Sequence, residues 1–172
     1  MGLEIKPDGT LLIRVPYSVS DEQVNKFVEK HKKWIESKQE KMKMKAREAD
    51  NAEKLTFSEI QKLADKALKY IPERVDFYAP IVGVTYGRIT IKNQKTRWGS
   101  CSSKGNLNFN CLLMLTPAGV IDSVVVHELC HRIEMNHSKK FYDEVYRVYP
   151  EYDRWNRWLK DNGPVLMNRM MQ

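Results

Sequence analysis

Long apolar runs are missing from this chain of 172 residues, and its first residues lack the apolar core of a secretory signal peptide. A helix that spans a membrane needs about 20 predominantly apolar residues in succession. The sequence therefore predicts no membrane segment and no secretory leader. Internal repeats and low-complexity segments are also missing, which excludes a repeat architecture.

Cysteine is scarce, and the three that are present, Cys101, Cys111 and Cys130, do not have the spacing of a disulfide framework. Small secreted scaffolds carry even sets of paired cysteines. We therefore expect three reduced thiols, which predicts a cytoplasmic protein.

The excess of positive charge is modest, since 29 Lys and Arg residues oppose 22 Asp and Glu residues and give a net charge of +7. This surplus permits weak nucleic-acid association, but a solvated basic surface explains it equally well. The length suits one domain with a sizeable core. We expect a single domain over residues 1–172, with an N-terminal hairpin and helix over 1–54 and a catalytic core over 55–172. No feature of the sequence sets an oligomeric state.

Residues 1–54 predict a β-hairpin and a long charged helix. Apolar and polar residues alternate on both sides of a turn at residues 7–9, which is typical of a hairpin. Ser20 and Gln23 are spaced as a capping box, so the helix is expected to begin there. The mixed-sign run over residues 38–54 is either a basic arm for nucleic acid or a solvated helical connector. Its interleaved acidic residues favour the connector.

The core is expected to combine helices with a few short strands, which is an α+β arrangement. One helix begins at the capping box of Thr56 and Glu59 and is expected to break or restart at Pro72. A strand is predicted over residues 107–115, where the apolar pattern is half alternating and half continuous. The Asn-Gly-Pro sequence at residues 162–164 predicts the end of the last helix.

The strongest functional signal is a His-Glu-x-x-His sequence in an apolar, helix-forming segment, followed by one more histidine. On a helix, residues four apart lie on one face, so His127 and His131 can share one metal ion. Neutral imidazole suits Zn²⁺, and a catalytic zinc takes three protein ligands and one water. Glu128 stands where its carboxylate reaches that water as general base. His137 is the candidate third ligand.

His137 completes this set only if the chain turns after His131. A continuing helix, which rises about 1.5 Å per residue, would carry His137 roughly 12 Å away along the axis. Asn136 tolerates the left-handed αL conformation, so we expect it to be the turn residue. Glu134 faces the same way as the two helical histidines but lies about 7 Å along the axis from the metal level, so it is not expected to be a ligand. Cys130 points away from them and is predicted to be a packing residue.

The next candidates are four consecutive residues, Arg97, Trp98, Gly99 and Ser100. In one interpretation they form a substrate-binding or oxyanion-stabilising edge near the metal. In the other they form a tight strand turn that packs the tryptophan. The residue types favour neither interpretation over the other.

These stretches together resemble the YgjP-like metallopeptidases, which are relatives of the SprT and WLM families. The resemblance lies in the N-terminal hairpin with its Trp-bearing helix, in KTRWGSCSSKGNLNFN at residues 95–110, and in VVVHELCHRIEMNHSKKFY at residues 124–142. It implies a compact zincin-like domain with an active-site helix, a small, mostly antiparallel sheet over it, and a third histidine from the following segment. Cys111 stands where the family often has tryptophan, so the packing at that position is expected to differ.

Two functions from different classes follow as hypotheses. In the first, the protein is a zinc-dependent metallopeptidase: Zn²⁺ polarises the scissile carbonyl of a peptide or protein substrate, and Glu128 moves a proton from water to the leaving amine. In the second, zinc is structural and a basic surface binds nucleic acid. A structural site would need a fourth ligand, and none is visible at suitable spacing. A protease that acts on DNA-bound proteins, by analogy with the SprT relatives, combines the two. The peptidase is the preferred hypothesis.

Overall fold

The structure of the chain is a computed structural model that describes residues 1–6 and 9–170. It divides into two compact units, Met1–Asn51 and Ala52–Gln172. None of the helices among the described residues combines the length and the apolar character that crossing a membrane requires.

The first unit contains the predicted hairpin and charged helix. Strands β1 (Gly2–Ile5) and β2 (Leu11–Arg14) pair antiparallel, whereas the predicted turn residues Pro7 and Asp8 lie outside the described residues. Helix α1 (Asp21–Asp50) follows. Its capping box is present as predicted, because Ser20 and Gln23 each accept a hydrogen bond from the other's backbone N–H.

The second unit is an α+β domain, and its helices lie around a single apolar core. Helix α2 packs against helix α3, and both are lined with fully buried aliphatic residues where they meet. Helices α4 and α5 cover the remaining sides of α3. The four helices are α2 (Phe57–Val82), α3 (Ala118–Cys130), α4 (Lys139–Val148) and α5 (Tyr152–Asn168).

A three-stranded sheet lies beside α3 and places one edge next to it. Its strands are β3 (Ile89–Lys92), β4 (Gly99–Cys101) and β5 (Leu107–Asn110), in the order β3-β5-β4. The edge strand β4 runs antiparallel to β5 and contacts α3. The predicted α+β class, with a small sheet beside the active-site helix, is confirmed. The sheet is mixed, however, because β3 runs parallel to β5.

The predicted strand over residues 107–115 is wrong in its second half. Strand β5 ends at Asn110, and residues Cys111–Leu115 form a 3-10 helix. The Asn110 side chain causes the change, because its Oδ1 accepts from the N–H of Leu112 while its Nδ2 donates to the carbonyls of Gln94 and Arg97. Apolar residues fill both segments, so the hydrophobic pattern does not reveal the boundary.

Two predicted helix breaks are also wrong. Helix α2 continues through Pro72. The carbonyl that this proline leaves without an intrahelical partner belongs to Leu68, which is 56% exposed, so water can hydrogen-bond there. Helix α5 continues through residues 162–164. Gly163 is buried there against Trp98, so this glycine serves close packing within the helix and does not mark its end.

Candidate metal centre and active site

Helix α3 holds the first two residues of the His-Glu-x-x-His sequence in the core. Its residues Val125, Val126 and Leu129 are fully buried, which fixes the rotation of the helix and presents His127 and Glu128 toward β4 and α5. The helix ends at Cys130, and His131 follows as its C-cap residue.

The chain turns after His131, as the position of His137 requires. The N–H groups of Ile133 and Glu134 both donate to the carbonyl of Cys130 at 3.0 Å, and Ser138 then caps α4. The prediction that Asn136 adopts the αL conformation is wrong, because among the described residues only glycines have positive φ. The reversal is spread over several residues with ordinary backbone geometry, so no single left-handed position is needed.

The turn brings His127, His131 and His137 to one point. One potential ligand atom from each lies within 4.8 Å of the others, and the Nε2 atoms of His127 and His137 are 3.0 Å apart. Two nitrogens bound at about 2.0–2.1 Å to a tetrahedral zinc stand roughly 3.4 Å apart. The three imidazoles therefore fit one such ion. Glu134 is not part of this set of potential ligands, as predicted.

A buried aromatic ring supports all three imidazoles. Phe141 of α4 is fully buried, and its ring centroid lies 4.9 Å from that of His127, 4.5 Å from that of His131 and 4.9 Å from that of His137. The sequence indicates a packing role for Phe141 on α4. Its position beneath the three histidines depends on how α4 packs against α3, and the spacing of apolar residues along α4 does not predict that packing.

The second ring nitrogen of each helical histidine has a fixed partner. The Nδ1 of His127 lies 2.8 Å from the hydroxyl of Tyr152, and the Nδ1 of His131 lies 3.1 Å from the carbonyl oxygen of Glu134. When Nδ1 carries the proton, Nε2 has a free lone pair for a metal. Sequence reasoning missed Tyr152, since it lies 25 residues from His127 in an aromatic stripe that is typical of core packing.

The electrostatic environment keeps these rings neutral. Burial, followed by the neighbouring His131 and His137, lowers the pKa of His127 to about 3. Burial also lowers the pKa of His131. Protonated imidazole cannot bind a cation, so both shifts favour the form that a metal needs.

Glu128 is buried beside the histidines and is only 6% exposed. Burial raises the pKa of its carboxyl to about 8, and the positive charge of Arg97 opposes that rise. The carboxylate packs against the backbone of Gly99 on strand β4. The catalytic candidate of α3 and the candidate edge of the sheet are therefore in direct contact.

Two adjoining cavities meet at Glu128. The first, which we call the metal cleft, has a volume of about 360 Å³. Besides the three histidines and Glu128, it is lined by Arg97, Gly99, Ser100, Cys101 and Met135.

The second cavity, which we call the side pocket, has a volume of about 230 Å³. It shares Arg97, Gly99, His127 and Glu128 with the metal cleft. Its own lining consists of Trp98, Ser123, Val124, Tyr152, Asn156 and Leu159.

The four candidates at residues 97–100 all lie at these cavities. Arg97 and Gly99 line both, Trp98 lines the side pocket, and the Oγ of Ser100 accepts a hydrogen bond from Asn108. The segment contains a packed tryptophan and also part of a strand edge. Trp98 packs against Gly163, while Gly99 belongs to the edge strand at the cleft.

Cys130 is fully buried on α3 and lies outside the set of potential metal ligands, in agreement with its predicted packing role. Burial raises the pKa of its thiol to about 12. Cys111 is also buried, as the first residue of the 3-10 helix.

Comparison with known proteins gives one family match. Residues 1–61 and 50–162 match the family model described as YgjP-like, metallopeptidase domain. No curated protein matches the chain.

Two solved structures are similar to parts of the chain, and both are crystal structures of metallopeptidase zymogens. Pyrococcus abyssi abylysin has a TM-score of 0.47 and 21% sequence identity, over 52% of this chain and 92% of that one. Methanocaldococcus jannaschii jannalysin has a TM-score of 0.49 and 23% identity, over 55% of this chain and 97% of that one.

Proposed function

Because the chain belongs to the YgjP-like metallopeptidase family, we propose that it is a zinc-dependent peptidase. In this proposal His127, His131 and His137 hold the metal and Glu128 is the general base. The observation that carries it is the convergence of three imidazoles on one point beside a buried carboxylate. Structural zinc sites are closed by four protein ligands, whereas three ligands leave a position for water or substrate.

Zinc is proposed because all three donors are imidazole groups. Such nitrogen sites suit Zn²⁺, whereas Mg²⁺ and Ca²⁺ prefer oxygen ligands. When bound, Zn²⁺ would lower the pKa of water to about 7 and polarise the carbonyl of the scissile bond. The lowered pKa values of His127 and His131 support this assignment, because both rings keep their lone pairs at neutral pH.

Glu128 is proposed to take a proton from the attacking water and to deliver it to the leaving amine. An acid–base group works best when its pKa lies near the pH of the reaction, and burial raises the pKa of Glu128 toward that range. Arg97, whose charge acts on Glu128, would face the negative charge that develops on the substrate's carbonyl oxygen.

A peptide substrate is supported by the open edge of strand β4. The N–H of Asn110 donates to the carbonyl of Trp98, and the N–H of Ser102 donates to that of Asn106, so these pairs bond across to β5. In an antiparallel ladder the residues between such pairs direct their N–H and C=O groups to the opposite side. Gly99 and Cys101 therefore present backbone groups to an extended chain at the metal cleft.

The test is a comparison of Glu128→Gln with the parent protein, each loaded with zinc and given a denatured protein mixture. Removal of a general base typically lowers the rate by about 10²–10⁴-fold. Since Glu128 is not one of the three metal donors, zinc content should stay at the parent value. Glu134→Gln is the matched control, because it makes the same change six residues further on, where the contacts near the site come from backbone atoms: the carbonyl oxygen lies 3.1 Å from Nδ1 of His131 and the N–H donates to Cys130.

If Glu128→Gln cleaves substrate at the parent rate, the Glu128 carboxylate is not the general base. If the parent cleaves no protein or peptide, but binds DNA with an affinity that falls as salt rises, the nucleic-acid hypothesis replaces this one.

A further inference from the structure

We propose that the side pocket binds an apolar side chain of the substrate, on a residue next to the scissile bond. The inference rests on the proposed peptidase function and adds a substrate class to it. That class is peptides with a branched aliphatic or aromatic residue beside the bond that is cleaved. Leu159 of α5 is assigned as the residue that sets the size of the pocket.

The position of the pocket supports this assignment. It shares Glu128 and His127 with the metal cleft, so it begins where the reacting carbonyl would lie. A peptide that extends strand β4 has side chains that alternate between its two faces. A side chain next to the reacting carbonyl, on the face toward α3 and α5, would therefore enter the pocket.

The pocket wall is mainly apolar, two of its hydroxyl groups are already hydrogen-bonded, and the side chain of Asn156 adds one amide. Trp98, Val124 and Leu159 contribute apolar surface. The hydroxyl of Ser123 donates to the carbonyl of Val120 at 2.7 Å, and that of Tyr152 lies at His127.

A charged or strongly polar side chain would lose its water here. Among the described residues that line the pocket, the only charged groups are Arg97 and Glu128. Arg97 is exposed, and Glu128 is needed for the reaction. Burial of a charge without a partner is strongly unfavourable, so the walls select for apolar groups.

The volume agrees with a medium or large side chain. An apolar cavity of about 150 Å³ accepts benzene, and the side pocket has about 230 Å³. Trp98 forms one wall because Gly163 lets its ring approach closely; a Cβ atom at position 163 would lie 3.2 Å from that ring. The unexpected glycine inside α5 thus contributes to the shape of the pocket.

The experiment measures binding, so it does not depend on turnover. Zinc-loaded protein is titrated calorimetrically with N-acetyl amino-acid hydroxamates that differ only in the side chain, taken from leucine, phenylalanine, glycine and aspartate. One methylene in an apolar pocket changes recognition by roughly 10- to 200-fold. The leucine and phenylalanine probes should therefore bind at least about tenfold more tightly than the glycine and aspartate probes.

Two variants test the residue assignment. Leu159→Ala should reduce the preference for leucine over glycine by about tenfold, whereas Leu166→Ala, the same change on α5 outside the pocket lining, should leave it unchanged. The probe affinities measured with the parent protein alone show which class of side chain the pocket prefers, so this result does not depend on either variant.

Equal affinities for all probes would overturn the proposal, as would failure of every probe to bind or tightest binding of the aspartate probe through Arg97. A preserved preference for apolar probes in a protein that cleaves no peptide would overturn the peptidase function and leave the pocket assignment in place.

Discussion

The backbone of Gly99 lies so close to Glu128 that a Cβ atom at position 99 would be 2.6 Å from the carboxylate Oε1 and 2.8 Å from Cγ. Real Cβ contacts do not reach these distances, so any side chain at position 99 would displace the carboxylate. The strand edge thus determines where the proposed general base can lie, and the two elements form one functional unit.

Gly99→Ala is therefore expected to lower peptide cleavage by at least about tenfold, since misplacement of a reacting group by 1 Å can reduce a rate by about 10²-fold. Zinc content should not change, because the three atoms nearest to a Cβ at position 99 all belong to Glu128 and none to a proposed ligand. Gly2→Ala is the control, as an added Cβ there meets nothing within 4 Å. Full activity of Gly99→Ala would show that the Glu128 position tolerates the displacement.

His137→Ala is expected to lower zinc occupancy as well as activity, because it removes one of three proposed donors. Elemental analysis of protein purified without added metal should find about one zinc per parent chain and clearly less in the variant. His31→Ala is the control, since His31 lies outside the set of potential ligands, with its Nδ1 2.8 Å from the carbonyl of Phe27. Equal zinc content in His137→Ala and the parent would contradict the ligand assignment.

Tyr152→Phe is expected to weaken zinc binding by about 10- to 100-fold, which is the typical effect of removing the partner of a ligating histidine. The hydroxyl at 2.8 Å from Nδ1 of His127 is lost, while the ring that lines the side pocket stays. Competition with a chelator would measure the change. Tyr146→Phe, which removes a hydroxyl that donates to Asp153, should bind zinc like the parent.

A partly buried ion pair between α2 and α3 gives a prediction on stability. Arg74 donates to both carboxylate oxygens of Asp122, at 2.7 and 2.9 Å, and the hydroxyl of Tyr78 also donates to that carboxylate. Hydrogen bonds to charged groups contribute about 1.5–3 kcal/mol, so Arg74→Met should lower the free energy of unfolding by about that amount in urea titration.

Two further variants test this interpretation. Lys139→Met breaks an exposed pair with Asp143 and should cost less than about 1 kcal/mol. The double variant Arg74→Met/Asp122→Asn should be more stable than the sum of the two single changes predicts, because the partners interact. Strict additivity would mean that the pair contributes no coupling energy.

Sequence patterns predict the features that depend only on residues close together in the chain. The four-residue spacing of His127 and His131 places both on one helix face, and the capping boxes at Ser20 and Thr56 mark helix starts because their hydrogen bonds span only three residues. The turn before His137 follows from helix geometry once His137 is taken as the third ligand.

Tertiary contacts determine the remaining features, and a local pattern does not contain them. Asn110 ends β5 by bonding the carbonyls of Gln94 and Arg97, which are close only in the folded chain. Pro72 stays inside α2 because core residues on both sides hold the helix. The role of Tyr152 depends on how α5 docks on α3, 25 residues away from His127.

The contact of Phe141 with all three imidazoles links the candidate metal site to the docking of α4. By thermodynamic reciprocity, whatever holds α4 in place raises affinity for the ion, and the ion raises the free energy required to detach α4. At a free metal concentration of 100 times Kd, that stabilisation amounts to about 2.7 kcal/mol. Amide hydrogens of Lys139–Val148 should therefore exchange more slowly in the zinc-loaded protein than in the zinc-free protein. On removal of zinc, the rate of exchange should rise first in that helix.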